Sequence, residues 1–400
     1  MKKQIQHFFK DNLSLLGFGL LLTFFSSFGQ TFLLSLYVPS IEEFLNISNT
    51  EFGTIYAIAT IGSAFTLPWI GGYFDRMETM RYTLMVIAGL FVSLLLLSFS
   101  YHFIMVIVAF YGLRLFGQGL MSHTSVSAMA KFFERNRGKA IGITGLGHPA
   151  GEAVLPIIIT MLIGFAGWRG TLQVSALITL LVVGPLALLL LRRALKSPHV
   201  SGKSIQDKKE KQNTLSVWQL LKERKFWIIS PVTFILGFTN TAIFFFQLKL
   251  GEARGWSPEW VAGSISAFAI AGAVGVTGIG AFVDRYTAKK LFPYHMMLYM
   301  PGLIALIFFD HPLVYPVALV LLGLGHGTGK TIKDAMLAEI YGTEIIGQVR
   351  SIFITVMVFS TAIGPVIFGI FLDAGVSYAT IFAGVLIAAL LATINAFRKL

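Results

Sequence analysis

The chain has 400 residues, of which 55% are hydrophobic and 12% charged, and it carries a formal net charge of +12. A water-soluble domain has about a quarter of its residues charged, so this balance excludes an ordinary soluble globular protein and makes lipid the natural solvent. With no cysteine, disulfides, thiolate catalysis and cysteine-ligated metals are excluded as well.

The basic start MKKQIQHFFKDN leads into an apolar run over 13–37 that has no small-residue cleavage site, so it reads as a retained first span. Further runs at 52–72, 83–100, 103–130, 139–166 and 171–191 are each about long enough to cross a hydrocarbon core, which takes about 20 residues at 1.5 Å rise each. A polar linker, 192–225, includes KSPHVSGKSIQDKKEKQNT. Six more runs follow at 226–248, 260–282, 291–309, 313–338, 346–371 and 378–397. The expected fold is an all-α membrane protein of about twelve transmembrane helices, with an N-terminal six-helix half over 1–191, the linker, and a C-terminal half over 226–400.

Lys and Arg fall unequally on the two sides of these spans. One side, including both termini and the linker, collects 25 of the 31; the other has only Arg169, Lys249 and Arg254; Arg114, Lys330 and Lys333 lie inside spans. Cytoplasmic loops retain positive charge, so both termini are expected in the cytoplasm, and the basic balance reports topology rather than a nucleic-acid partner.

The halves echo one another. GGYFDR places Gly71, Asp75 and Arg76 after the second span, and GAFVDR places Gly280, Asp284 and Arg285 at an offset of 209. Pro156 and Pro365 share that offset, and Gly-Gln-Gly at 117–119 precedes Gly-His-Gly at 325–327 by 208. Parallel repeats with a substrate site at the interface of the halves are a recurrent transporter design.

Ionised groups at bilayer depth cost about 2.5–3.5 kcal/mol on insertion scales, so Arg114, Glu152 and Lys330 should avoid lipid and find partners or water in a central cavity. Arg114 and Glu152 are expected at comparable depth, where an ion pair is one reading and a static brace between helices another. His148 and Glu152, four apart, project from one face of the fifth span; a proton relay and a histidine satisfying a carbonyl freed beside Pro149 both stand. In the tenth span His326, Lys330 and Lys333 form one polar stripe with Asp334 beside it, which makes a local Lys330–Asp334 pair plausible and lets Lys333 snorkel. Gln118 sits on the same span as Arg114; His123, about 180° around that helix, is set aside. GLGHGTGKT invites a nucleotide-loop reading, but Leu324 stands where the motif needs Gly, and close helix packing accounts for the glycines.

The Gly71-x-x-x-Asp75-Arg76 loop, its second copy ending in Asp284-Arg285, and Arg114-x-x-Gly117-Gln118-Gly119 together resemble the major facilitator superfamily. In that family the loop carries a second Gly where Glu78 stands here, and Arg81 lies one place late. The resemblance implies that Asp75, Arg76, Asp284 and Arg285 act in gating at the cytoplasmic ends, with topology signalling as the plainer role. FFERNRGKAIGITGLGHPAGEAVLP followed by GWRG is similar to the bacterial monocarboxylate-porter and oxalate/formate-exchanger branch, which implies a bacterial inner membrane. That branch uses a Lys in the first span, where the nearest polar group here is Gln30.

The expected function is secondary transport of a small solute by alternating access. An excess of cations at depth points to an organic anion such as a monocarboxylate moved with a proton. No cofactor is expected beyond a proton or exchanged-substrate gradient, and a monomer is expected. Efflux of amphipathic compounds remains open, favoured by 36 Phe. A non-transporting sensor would call for a sizeable soluble output module, and an enzyme for a nucleophile with its base or a metal cluster; neither pattern is seen.

Overall fold

Backbone N–H and C=O groups have no water to bond in a bilayer core, so a chain this apolar must satisfy them within each segment. The computed structural model describes residues 2–133, 136–196, 217–342 and 345–399, and it is helical throughout with no strand among them. Most of the linker, 197–216, and Glu134 and Arg135 of the loop between the fourth and fifth spans lie outside the described residues.

Among the described residues, ten stretches are long and apolar enough to cross a membrane. One of them, 137–195, is 59 residues long and is broken where Gly167 takes a left-handed conformation (φ 69°), so it holds two crossings, matching the expected fifth and sixth spans. Val314–Tyr341, a 28-residue helix, is the expected tenth span; its Lys330, Lys333 and Asp334 dilute its apolar character. Large side chains such as Phe65, Trp69 and Phe165 are 76%, 80% and 90% exposed, which is costly in water and favourable against lipid.

The first span departs from the expected continuous helix over 13–37. Helix Lys2–Phe25 passes into a 3-10 turn at Ser26–Gly29, then an extended Gln30 (φ −84°, ψ 149°), and resumes through Thr31–Leu34 and Ser35–Tyr37 to Val38–Leu45. Two serines followed by Phe-Gly are a weak place for a helix, and Ser26 Oγ donates to the Thr23 carbonyl (2.7 Å), drawing off backbone capacity.

The described chain forms two compact units, one of 1–41 and 58–207, the other of 42–57 and 208–400. In the first, helix Lys2–Phe25 packs against Ser122–Phe132, Arg137–Gly145, Gly147–Ile178 and Gly184–Leu195. In the second, Pro258–Gly278 lies along Val314–Tyr341, so close that a Cβ on Gly327 would stand 2.2 Å from the Gly272 carbonyl oxygen.

The repeated loops are each held from a neighbouring helix. Lys131 Nζ donates to Thr79 Oγ1 (3.2 Å) just past the first loop. Past the second, Thr287 is left-handed (φ 68°) and the Glu339 carboxylate accepts from the backbone N–H groups of Ala288 (2.8 Å) and Lys289 (3.1 Å). On the side poor in basic residues, Arg169 donates to the carbonyls of Ser98 (3.1 Å) and Ser100 (2.7 Å) at a helix C-terminus, where a cation meets the negative end of the helix dipole. Arg254 likewise donates to the Phe309 carbonyl (3.0 Å) and pairs with Asp310 (3.4 Å).

Candidate functional site

The break in the first span exposes carbonyls that a straight helix would use, and a buried Arg is the natural donor to them. Arg114, 5% exposed, donates from Nη1 to the Gly29 carbonyl (3.4 Å) and to Thr31 Oγ1 (3.2 Å), one on each side of Gln30. It stands on a π-helical segment, Leu113–Met121, whose widened turn also carries Gln118. The approach depends on two missing side chains: a Cβ on Gly29 would lie 2.1 Å from the Leu113 carbonyl oxygen, and one on Gly117 would lie 2.8 Å from the Gly29 backbone. π-Turns and broken helices at membrane depth are tolerated where they face protein or a cavity, and they recur at functional sites.

Helix Gly147–Ile178 completes this cluster. A Cβ on Gly151 would meet Ser27 Oγ at 2.2 Å, so the helix lies against the same break. The half-buried His148 ring sits edge-on to Phe32, centroids 6.0 Å apart, and Glu152 is 8% exposed one turn further on. Gln30, Arg114, Gln118, His148 and Glu152 therefore all belong to the first unit, with Gln30 in the helix break and Arg114 and Gln118 on the π-turn packed against it.

The second unit has its own polar cluster. The Asn240 amide lies 3.0 Å from His326 Nδ1, and the buried Tyr299 hydroxyl donates to Asn240 Oδ1 (2.7 Å), joining three helices. The Phe268 ring lies 5.7 Å from that of His326. Sequence reasoning named His326 and missed Asn240 and Tyr299, although an amide inside an otherwise apolar span is itself a signal. Lys330 is exposed, and the expected Lys330–Asp334 pair is corrected: Asp334 lies instead 3.9 Å from Lys333, whose side chain is 15% exposed. Lys333 is the lysine held against the protein, and Lys330 forms no ion pair among the described residues.

Asp75, Arg76, Asp284 and Arg285 are exposed and form no ion pair among the described residues; the Arg285 guanidinium lies 5.2 Å from the Tyr286 ring. His123, set aside on the sequence, faces the first of these loops: its ring is 3.4 Å from where a Gly71 Cβ would stand and 6.2 Å from the Phe74 ring. The face opposite Arg114 is thus the face toward the loop.

A further charged cluster was not singled out by the sequence. Glu42, 4% exposed, forms an ion pair with Lys249, whose Nζ also donates to Asn49 Oδ1 (2.5 Å). Asp373 accepts from Asn49 N (3.1 Å) and Nδ2 (2.7 Å), and from Thr50 N (2.8 Å) and Oγ1 (2.5 Å), at the start of helix Asn49–Gly72. All five residues lie in the second unit.

The chain is similar to known proteins. The family model described as Major Facilitator Superfamily matches residues 19–332 and, separately, 232–400. An "MFS-type transporter" of Gibberella moniliformis (strain M3125 / FGSC 7600) is 24% identical over 357 residues, covering 86% of this chain and 81% of that protein. The hexuronate transporter of Bacillus subtilis (strain 168) is 29% identical over 140 residues, 34% of this chain and 32% of its own length. Among solved structures, the nucleoside transporter NupG superimposes with a TM-score of 0.74 at 13% identity, covering 97% of this chain and 97% of its own. A bacterial homologue of the human lysosomal transporter Spinster gives 0.75 at 13% identity over 96% of each chain. Taken with the all-helical fold, the repeated loops and the polar clusters inside apolar spans, these matches show that the chain belongs to the major facilitator superfamily, as a multi-pass membrane transporter of small solutes.

Proposed function

We propose that this transporter moves a small organic anion, such as a monocarboxylate or a sugar acid, together with a proton by alternating access. The observation that carries the reading is Arg114, a permanently charged guanidinium buried at the break of the first span, where two of its contacts are neutral oxygens. A guanidinium presents five donors in a planar fork that matches a carboxylate, so a buried one beside a broken helix suits an anionic ligand. His148 and Glu152, on a helix packed against the same break, supply the proton-accepting groups. The partial relative that carries hexuronate in its name acts on a carboxylate-bearing sugar, in keeping with this class.

The test is transport by the purified protein in liposomes under an inward proton gradient, read by an internal pH dye across small monocarboxylates and hexuronates. Acidification is expected with at least one acid. Arg114→Ala should reduce it by about tenfold or more, the worth of one charge-assisted contact, and Glu152→Gln should uncouple proton from substrate, so that labelled acid still exchanges without acidification. Silence for every acid, with a nucleoside or an amphipathic dye transported instead, would overturn the anion reading.

A further inference from the structure

Residues 42–57 form a strap that is continuous on both flanks with the first unit and packs inside the second. Phe52 and Tyr56 rest on Phe245, with centroids 5.7 and 5.0 Å apart, and a Cβ on Gly53 would come within 2.7 Å of the Pro365 carbonyl oxygen. The polar end of the strap is the cluster around Glu42. Asp373 binds the helix start at Asn49 and Thr50, an arrangement favoured by the exposed N–H groups and the dipole there. Glu42 fits less well. An ionised carboxylate calls for donors at both oxygens, yet only Oε2 meets Lys249, and the buried Oε1 has no hydrogen-bond partner among the described residues.

We propose that Glu42 is a proton-binding site whose occupancy sets how firmly the strap is held in the second unit. Its ligand is the proton itself. The charged and titratable groups facing it are Lys249 from Gln247–Ala253, Asp373 from the end of Ile346–Asp373, and Tyr378 from the start of Tyr378–Lys399; Glu252 acts on Tyr378, while Glu43 and Glu51 on the strap are exposed. Protonation removes a buried charge whose Oε1 has no donor among the described residues, and Lys249 keeps Asn49 Oδ1 as an acceptor. Burial, reinforced by Asp373 and opposed by Lys249, raises the Glu42 carboxyl from 4.5 to about 7.

The direction follows from linkage. Because the docked strap holds the proton more tightly than a free carboxyl would, docking is strongest in acid and weakens as pH rises through about 7. Across the interval from 4.5 to about 7 the docking equilibrium should change by about tenfold per pH unit. On the side poor in Lys and Arg, which the charge count assigns to the outside, an acidic exterior would hold the strap in place. Only that consequence rests on the transport reading.

The chain lacks cysteine, so nitroxide labels on Phe44→Cys and Ala253→Cys, both exposed, report the strap directly in nanodiscs without substrate or gradient. Between about pH 5 and 8.5, a range that brackets the raised carboxyl, a longer-distance population is expected to grow with a midpoint near neutrality. Glu42→Gln should abolish that growth and keep the short distance throughout, whereas Glu51→Gln should leave it unchanged. A distribution that is constant with pH, or a response that persists in Glu42→Gln, overturns the inference. Because no transported solute enters the measurement, failure of the anion reading leaves this result standing, and a silent strap leaves proton-coupled transport standing.

Discussion

The Tyr299 hydroxyl and the Asn240 carboxamide meet in a region with little access to water, so neither can trade its partner for solvent when the other is removed. Asn240→Leu should therefore cost about 1–3 kcal/mol, because a buried phenol loses its acceptor and His326 loses its amide neighbour. Tyr299→Phe in the Asn240→Leu background should restore part of that loss, since two apolar groups no longer leave a polar atom stranded. Thermal unfolding of the detergent-purified variants measures both. Arg114 shows the limit of sequence reading at this scale. A buried cation was evident from composition and spacing, whereas its contacts with Gly29 and Thr31 were not, because they depend on a backbone break that no side-chain pattern announces.

At the scale of elements, glycines set how closely helices approach. A Cβ on Gly29 would fall on the backbone at Leu113 and Gln118, and one on Gly327 on the backbone at Gly272, so neither helix can yield by turning a side chain. Gly29→Ala and Gly327→Ala should each destabilise the protein by about 1–3 kcal/mol, the usual cost of overpacking. Gly164→Ala, with nothing within 4 Å of the new methyl, should be neutral or slightly stabilising through helix propensity. The same denaturation series, with loss of monodisperse protein as a second readout, decides between them. Span positions were legible because an apolar run of about twenty residues admits little else. The interruption at Gln30 and the π-turn at Leu113–Met121 were not, since hydropathy is blind to backbone geometry, and neither was the strap, whose Glu42 and Asp373 are 331 residues apart.

For the molecule as a whole, the charge asymmetry and the structure bear on one another. The three basic residues on the poor side all have structural work: Arg169 and Arg254 close helix ends and Lys249 meets Glu42. None is surplus, so the bias could hardly be larger, and it predicts a definite orientation. In a cysteine-free chain, Ala253→Cys should react with a membrane-impermeant maleimide on intact cells and Gly280→Cys only after permeabilisation; the reverse pattern would invert the topology. The sequence repeat was legible from closely matching offsets, and it marked the loops that the structure shows to be braced. The composition of the two polar clusters differs between the units, which is why motif spacing located the frame and could not name the cargo.

The braces on the repeated loops carry a historical implication. Lys131 and Glu339 are 208 positions apart, the same spacing as the two Gly-x-Gly motifs on their helices, and each reaches the segment just past its own copy of the Asp-Arg loop. One is a cation donating to a hydroxyl and the other an anion accepting from two backbone amides. If both descend from one ancestral helix end, the side chain and the turn it holds cannot have drifted separately, because a lysine placed at the Ala288 amides or a glutamate placed at the Thr79 hydroxyl in its present orientation loses the contact that orders the turn. Each brace and its loop would then have been inherited as a single module, and ancestral reconstruction that exchanges one without the other should yield the less foldable intermediates.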